Sequence, residues 1–254
     1  MYLERILKLG MSCLPQVGVL TSEAPSLPSA VGRGVVQKTM TLQESLDKLK
    51  ARLESRLPEQ ALAIMHEATR DLENSGIGNG ILKVGDQAPE FNLKNQDDLW
   101  VSSAEVLKKG PLVLTFYRGV WCPYCNTDLA NLKRYTAPIK ELNGTLLSLS
   151  PQLTSYSKQI IDRQKLNFDL LTDTGNNVAN AFGLRWEMVD PLKTLYKDSF
   201  KISLPSYNGD DSWTLPVPAR FIVGVDGIIR YAEFSVDYTK RPNPDVLVKA
   251  LQTL

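Results

Sequence analysis

The stretch PLVLTFYRGVWCPYCNTDLANL, residues 111–132, runs from an apolar segment into a pair of cysteines and then into helical spacing. Pro111 to Tyr117 is nearly all apolar and is bounded by Gly110 and Gly119, the pattern of a strand buried on both faces. Behind the cysteines, Leu129, Leu132 and Tyr135 recur at three-residue steps, and Pro123 suits the opening turn of a helix expected over 123–142. Cys122 and Cys125 therefore stand where a strand ends and a helix begins. Unpaired N–H groups and the positive end of the helix dipole stabilise a thiolate there, so a cysteine titrates below its usual value of about 8.5. The three-residue step puts both sulfurs on the first helical turn, close enough to join as a disulfide.

Further along, Asn143-Gly144 marks a turn and TLLSLS (145–150) a second short strand. QLTSYSKQIIDRQKL (152–166) has helical spacing, FDLLTD (168–173) is a third strand, and NNVANAFGL (176–184) a short helix. Residues 185–214 show no clean period and are expected to form an irregular, polar insertion. Two apolar runs in VPARFIVGVDGIIRYAEF (217–234) meet at Asp226-Gly227, a hairpin signal. Asn243 ahead of Pro244 caps a last helix, PDVLVKAL. Strands alternating with helices, then a hairpin and a helix, argue an α/β sandwich.

Upstream, residues 40–80 read as a helical extension and 81–254 as the α/β domain. Thr41 and Glu44 form a capping box, and Leu42, Leu46, Leu49, Leu53 and Leu57 make one apolar stripe. The stripe is expected to pack on the chain's own core, with a homodimer seam as the alternative. Pro58 opens a second helix, PEQALAIMHEATRDL, and NSGIGNG (74–80) ends the helical part. Residues 1–39 are rich in Pro, Gly and Ser and are expected to be flexible; four basic residues against two acidic ones leave organelle targeting open. A misplaced start ahead of Met40 is a third reading.

The totals exclude several function classes. The 254 residues carry 29 basic and 28 acidic side chains with no basic stripe, so no nucleic-acid partner is expected. No apolar run reaches the roughly 18 residues of a membrane span. Three cysteines, two of them adjacent, suit a reducing compartment with a reactive pair, and a cytoplasmic location is expected. His66 is the sole histidine, which excludes multi-histidine metal sites; it is expected at the surface.

Zinc needs about four ligands and the cysteine pair supplies half of them, so no metal and no cofactor is expected. A cluster shared between two copies of the chain would draw on four cysteines and stays open as a non-enzymatic reading, beside redox sensing. Thiolate is the nucleophile in disulfide exchange and in peroxide attack alike, so the motif by itself does not choose between them.

The stretches VGDQAPEFNL (84–93), LTFYRG (114–119), FGL (182–184) and FIVGVDGIIRY (221–231) resemble the AhpC/TSA peroxiredoxin family of the thioredoxin superfamily, over roughly 83–254. The resemblance implies a thioredoxin-like fold, a central mixed sheet flanked by helices, here with an N-terminal helical extension. It implies reduction of a hydroperoxide, with a thiol reductant such as a thioredoxin or glutathione system. Laid on the family's P-x-x-x-T-x-x-C stretch, Cys125 takes the attacking cysteine's place, Cys122 the threonine's and Arg118 the proline's. The family's distant peroxide-binding arginine has no clear counterpart; Arg220 lies near but out of register.

W-C-x-x-C also resembles thioredoxin, in which the first cysteine attacks a disulfide, and Pro218 resembles the cis-proline facing that site. The catalytic candidates are therefore Cys122 and Cys125, with their order open. Arg118, Trp121 and Pro218 are the supporting candidates. Arg118 either lowers a thiol pKa and binds an oxygen, or faces solvent. Trp121 covers the sulfurs and docks a partner, or only packs. Asp128 and Tyr124 are expected at the helix end and surface.

Overall fold

The computed structural model describes residues 40–254; the expectations for residues 1–39, Cys13 included, lie outside them. The described chain opens with α1 (Leu42–Glu54), whose capping box is complete: Thr41 Oγ1 accepts from Glu44 N at 3.2 Å, and Glu44 Oε2 accepts from Thr41 N at 2.7 Å. Pro58 precedes α2 (Glu59–Asn74), and Gly76, at φ 76°, turns the chain into α3 (Ile77–Gly80). His66 is exposed, with Nε2 2.8 Å from Glu54 Oε1, a link between α2 and α1.

Two short strands, β1 (Asn92–Asn95) and β2 (Trp100–Ser102), and a one-turn helix α4 (Ser103–Leu107) lead to β3 (Leu112–Phe116). All five residues of β3 are buried, as its apolar run requires. The helix behind it divides into α5 (Pro123–Leu132), a single 3₁₀ turn, and α6 (Thr136–Glu141), where one helix over 123–142 is expected from spacing. Pro138 explains the division. It has no N–H for Arg134 O and its ring crowds that carbonyl.

The remaining elements are β4 (Thr145–Ser150), α7 (Thr154–Gln164), β5 (Asp169–Thr172), α8 (Asn177–Ala181), β6 (Arg185–Glu187), α9 (Asp190–Thr194), α10 (Leu204–Asn208), β7 (Thr214–Pro216), β8 (Ala219–Val223), β9 (Ile229–Phe234) and α11 (Asp245–Leu251). Seven strands form a mixed sheet in the order β2-β1-β5-β4-β3-β8-β9, and β6 pairs with β7 apart from it. Strands β3, β4 and β5 are parallel neighbours, whereas β8 runs antiparallel to β3 with Thr115 opposite Arg220. Helices cover both faces, a thioredoxin-like architecture.

The segment 185–214 is not the irregular insertion expected. It holds β6, α9, a π turn at Leu195–Ser199, α10 and β7. Met188, Leu192, Leu195, Tyr196 and Phe200 fall at helix-compatible steps within it and are all buried. They join Leu42, Leu46 and Leu49 of α1 in one apolar cluster that also contains Trp121, Cys122, Tyr124 and Cys125. The leucine stripe thus lies in the chain's own core rather than forming a dimer seam. Both cysteines sit beneath a roof made by α1 from one end of the chain and residues 188–204 from the other.

Leu46 is fully buried in that roof. Leu46→Ala is expected to cost about 2–5 kcal/mol, the range for truncating a buried leucine. The urea midpoint measures this, and the same variant is expected to alkylate faster at its cysteines than the parent.

Candidate active site

Strand β3 delivers the chain to Arg118 and Gly119, and α5 begins at Pro123, leaving Cys122 as its N-cap and Cys125 in its first turn. Gly119 is at φ 147°, and a Cβ there would stand 2.5 Å from Trp121 Nε1, so the tight turn accepts no side chain. Trp121 folds back over this glycine and meets Tyr196 edge-on, with ring centroids 5.6 Å apart. At 4% exposure it packs in the interior, and the expectation that it docks a partner does not hold.

Both cysteines are reduced and buried, Cys122 at 1% and Cys125 at 0% exposure. Their environments differ sharply. Cys125 Sγ accepts from Arg241 Nη2 at 3.2 Å and from the Arg118 backbone N–H at 3.5 Å. The other titratable groups facing it are Cys122, Tyr117 and Tyr196, with Tyr238 beyond Cys122. Burial works against ionising Cys125, but the hydrogen bond from Cys122, the Arg241 and Arg118 guanidiniums and the Arg118 N–H outweigh it and pull its pKa down to about 6. Burial and the neighbouring Cys125 push the Cys122 thiol up, well above its usual range. Of the two sulfurs, these neighbours favour the thiolate on Cys125 and the proton on Cys122.

Arg118 is 2% exposed, which removes the solvent-facing alternative. Its Nη2 donates to Tyr196 Oη at 2.6 Å. The guanidinium carbon lies 4.2 Å from the Tyr238 ring centroid and 4.9 Å from that of Trp121, so aromatic faces carry much of its solvation. Asp128 and Tyr124, expected near the surface, are buried as well. Asp128 Oδ1 accepts from Arg220 Nη2, and Asp128 Oδ2 lies 3.2 Å from Arg241 Nε. Asp128 is thus within ion-pair distance of Arg220 and Arg241, and among the described residues no salt bridge is formed by Arg118.

Pro218 is buried just ahead of β8, and its carbonyl accepts from Ser235 N at 3.0 Å. No peptide bond among the described residues is cis, so the likeness to a cis-proline is not met. Arg241, in the loop between β9 and α11, is the residue that sequence reasoning missed. Its only advance signal was an arginine between Tyr238 and Pro242, long after the cysteine motif. Among the described residues no group of three or more His, Cys, Asp or Glu side chains is placed to hold a metal, and no helix is long and apolar enough to cross a membrane.

A family model described as the AhpC/TSA family matches residues 84–232, more than half of the chain. The chain belongs to the AhpC/TSA family. Among its relatives, the peroxiredoxin bcp of Haemophilus influenzae is 35% identical over 103 residues, 41% of this chain and 66% of that protein. The thiol-disulfide oxidoreductase ResA of Halalkalibacterium halodurans is 28% identical over 108 residues, 41% of this chain and 59% of that protein. These matches span about two thirds of the relatives' length or less. The crystal structure of peroxidoxin BcpB from Mycobacterium tuberculosis shares the fold, with a TM-score of 0.53 at 18% identity over 68% of this chain and 98% of that one. Against the AhpC/TSA pattern, the two departures at positions 118 and 122 both fall beside Cys125: Arg118 by its backbone N–H, Cys122 by its thiol.

The depressed Cys125 pKa gives stability that is present above the unfolded thiol value of about 8.5. It is lost as pH falls through the folded value of about 6. The Cys122 thiol, shifted upward, acts only above that window. Reduced protein is expected to lose more of its urea midpoint than Cys125→Ser as pH falls across the window, and parallel curves would contradict the assignment of the thiolate.

Proposed function

We propose that this protein reduces hydroperoxides, with Cys125 as the attacking sulfur and Cys122 as its resolving partner. The observation that carries the reading is the asymmetry of the dithiol. Arg241 Nη2 and the Arg118 N–H both point at Cys125 Sγ, while Cys122 holds its proton against the same sulfur. The AhpC/TSA membership and the peroxiredoxin relatives support the same chemistry.

Each step balances. The Cys125 thiolate attacks the distal peroxide oxygen, the O–O bond breaks, and the leaving alkoxide takes the Cys122 proton to become an alcohol. Cys125 is then a sulfenic acid and Cys122 a thiolate. The Cys122 thiolate attacks the Cys125 sulfur, hydroxide leaves and is protonated by solvent, and an intramolecular disulfide remains. Two equivalents of a small monothiol of the glutathione class, which asks for little displacement of the roof, return it to the starting state and leave as their own disulfide. Such a cycle suits a reducing compartment, the cytoplasm being the expected one.

Disulfide exchange led by Cys122 is the second reading, favoured by the W-C-x-x-C pattern and by the ResA likeness. Two observations weigh against it. Cys122 is the sulfur that burial keeps protonated, and both sulfurs lie beneath the roof, where a folded protein's disulfide does not reach. A small peroxide asks for far less displacement.

Cys125→Ser is expected to abolish peroxide consumption, at least a hundredfold by analogy with loss of a nucleophile, roughly. Cys122→Ser is expected to accumulate a sulfenic acid on Cys125 that dimedone traps and mass spectrometry locates. A mixed disulfide trapped on Cys122 in the Cys125→Ser variant, with no sulfenic acid in the other, would establish exchange instead.

A further inference from the structure

The arginine that faces Cys125 is itself aimed by a second, fully internal structure. Four groups form a line: Arg220, Asp128, Arg241 and the Cys125 sulfur. Each of the three charged side chains is at most 7% exposed as a residue. Asp128 lies one helical turn beyond Cys125 on α5, so the carboxylate and the sulfur share one face of that helix.

Nη1 of Arg241 donates to the carbonyls of Tyr238 and Lys240, both at 2.7 Å. Nε makes no hydrogen bond but lies 3.2 Å from Asp128 Oδ2 as an ion pair. With Nη1 fixed on the main chain and the Nε edge drawn to the carboxylate, the planar guanidinium turns Nη2 toward Cys125 Sγ. Arg220 locks the arrangement from behind. Its Nη2 donates to the other Asp128 oxygen, and its Nη1 donates at 2.6 Å to the carbonyl of Pro242, the residue next to Arg241. Arg220 comes from β8, opposite Thr115 of β3, so the sheet fixes one end of the line and α5 the other.

We propose that Asp128 is a positioning residue for the thiol chemistry, holding the Arg241 guanidinium in the one orientation that donates to Cys125. Arg220 serves as the counter-clamp that keeps the carboxylate and the loop of Arg241 together. Without the carboxylate, Arg220 and Arg241 face each other as two like charges, and the loop 235–244 is the element free to yield. The proposal rests on the reading of Cys125 as the thiolate, and its test uses no peroxide, so the two can fail separately.

The sign of the effect separates positioning from mere proximity of charge. A negative carboxylate near a thiol disfavours the thiolate, so its simple removal would lower the Cys125 pKa. If Asp128 acts through Arg241, its removal raises that pKa instead. The measurement is the rate of iodoacetamide alkylation against pH, made on the full chain in a Cys122→Ser background with mass-spectrometric readout at Cys125. Asp128→Asn is expected to slow alkylation about tenfold at about pH 5, below the Cys125 value of about 6, where one unit of upward shift lowers the thiolate fraction by that factor. An unchanged or faster rate would overturn the proposal.

Arg220→Lys is the second variant, for the case in which Asp128→Asn does not fold. It keeps the charge but not the fork that holds Asp128 and the Pro242 carbonyl at once. Proximity of charge expects no shift from it, whereas positioning expects slower alkylation in the same direction. A rate equal to the parent's in a folded Arg220→Lys protein would likewise sink the proposal. Peroxide consumption by the unaltered protein is a separate outcome, and its absence would count against the proposed function alone.

Discussion

Among the described residues, three guanidinium groups are buried around the cysteine pair with a single paired carboxylate, and a thiolate on Cys125 would bring the count nearer to balance. Buried charges of this kind are costly unless they are paired and hydrogen-bonded. Much of the local structure can be understood as meeting that requirement. Aromatic rings flank Arg118, main-chain carbonyls take up Arg241 and Arg220, and Asp128 bridges the latter two. The same arrangement that makes the arginines tolerable makes one of two adjacent cysteines acidic and leaves the other protonated.

Enclosure strengthens this asymmetry. In water the attraction between a guanidinium and a thiolate is heavily screened, and away from water it is several times stronger. The roof formed by α1 and residues 188–204 supplies that enclosure. It is tied to the site by more than apolar contact, since Arg241 N donates to Gln43 Oε1 of α1 at 3.2 Å. The helices ahead of the sheet are therefore part of the thiol's electrostatic environment.

The sandwich of strands and helices could be read from periodicity, because β3, β4, β5, the β8–β9 hairpin and most helices carry uninterrupted local patterns. Two kinds of feature escaped. Residues 185–214 mix a buried apolar set with many polar side chains, and a segment of short elements around a π turn dilutes any single period. The line from Arg220 to Cys125 escaped for a different reason. Asp128 and Arg241 are charged residues whose burial depends on each other, 113 positions apart along the numbering of the chain. No local pattern reports such a mutual dependence. The cysteine pair, by contrast, was visible because strand, turn and helix dipole are neighbours in sequence. What the motif could not say was which sulfur has positive neighbours, since Arg241 arrives from the loop after β9, with Arg220 of β8 behind it.

The surplus of buried positive charge also bears on the energetics of turnover. Whatever free energy the guanidiniums give to a Cys125 thiolate belongs to the reduced protein and would be forfeited in the neutral Cys122–Cys125 disulfide of the proposed cycle. Stabilising the reduced form makes the oxidised form the stronger oxidant, as with other dithiols whose thiolate is held by local positive charge. In the proposed cycle, the arginines that favour the thiolate would thus also make the disulfide ready to take electrons back, so that even a weakly reducing thiol would suffice to close it.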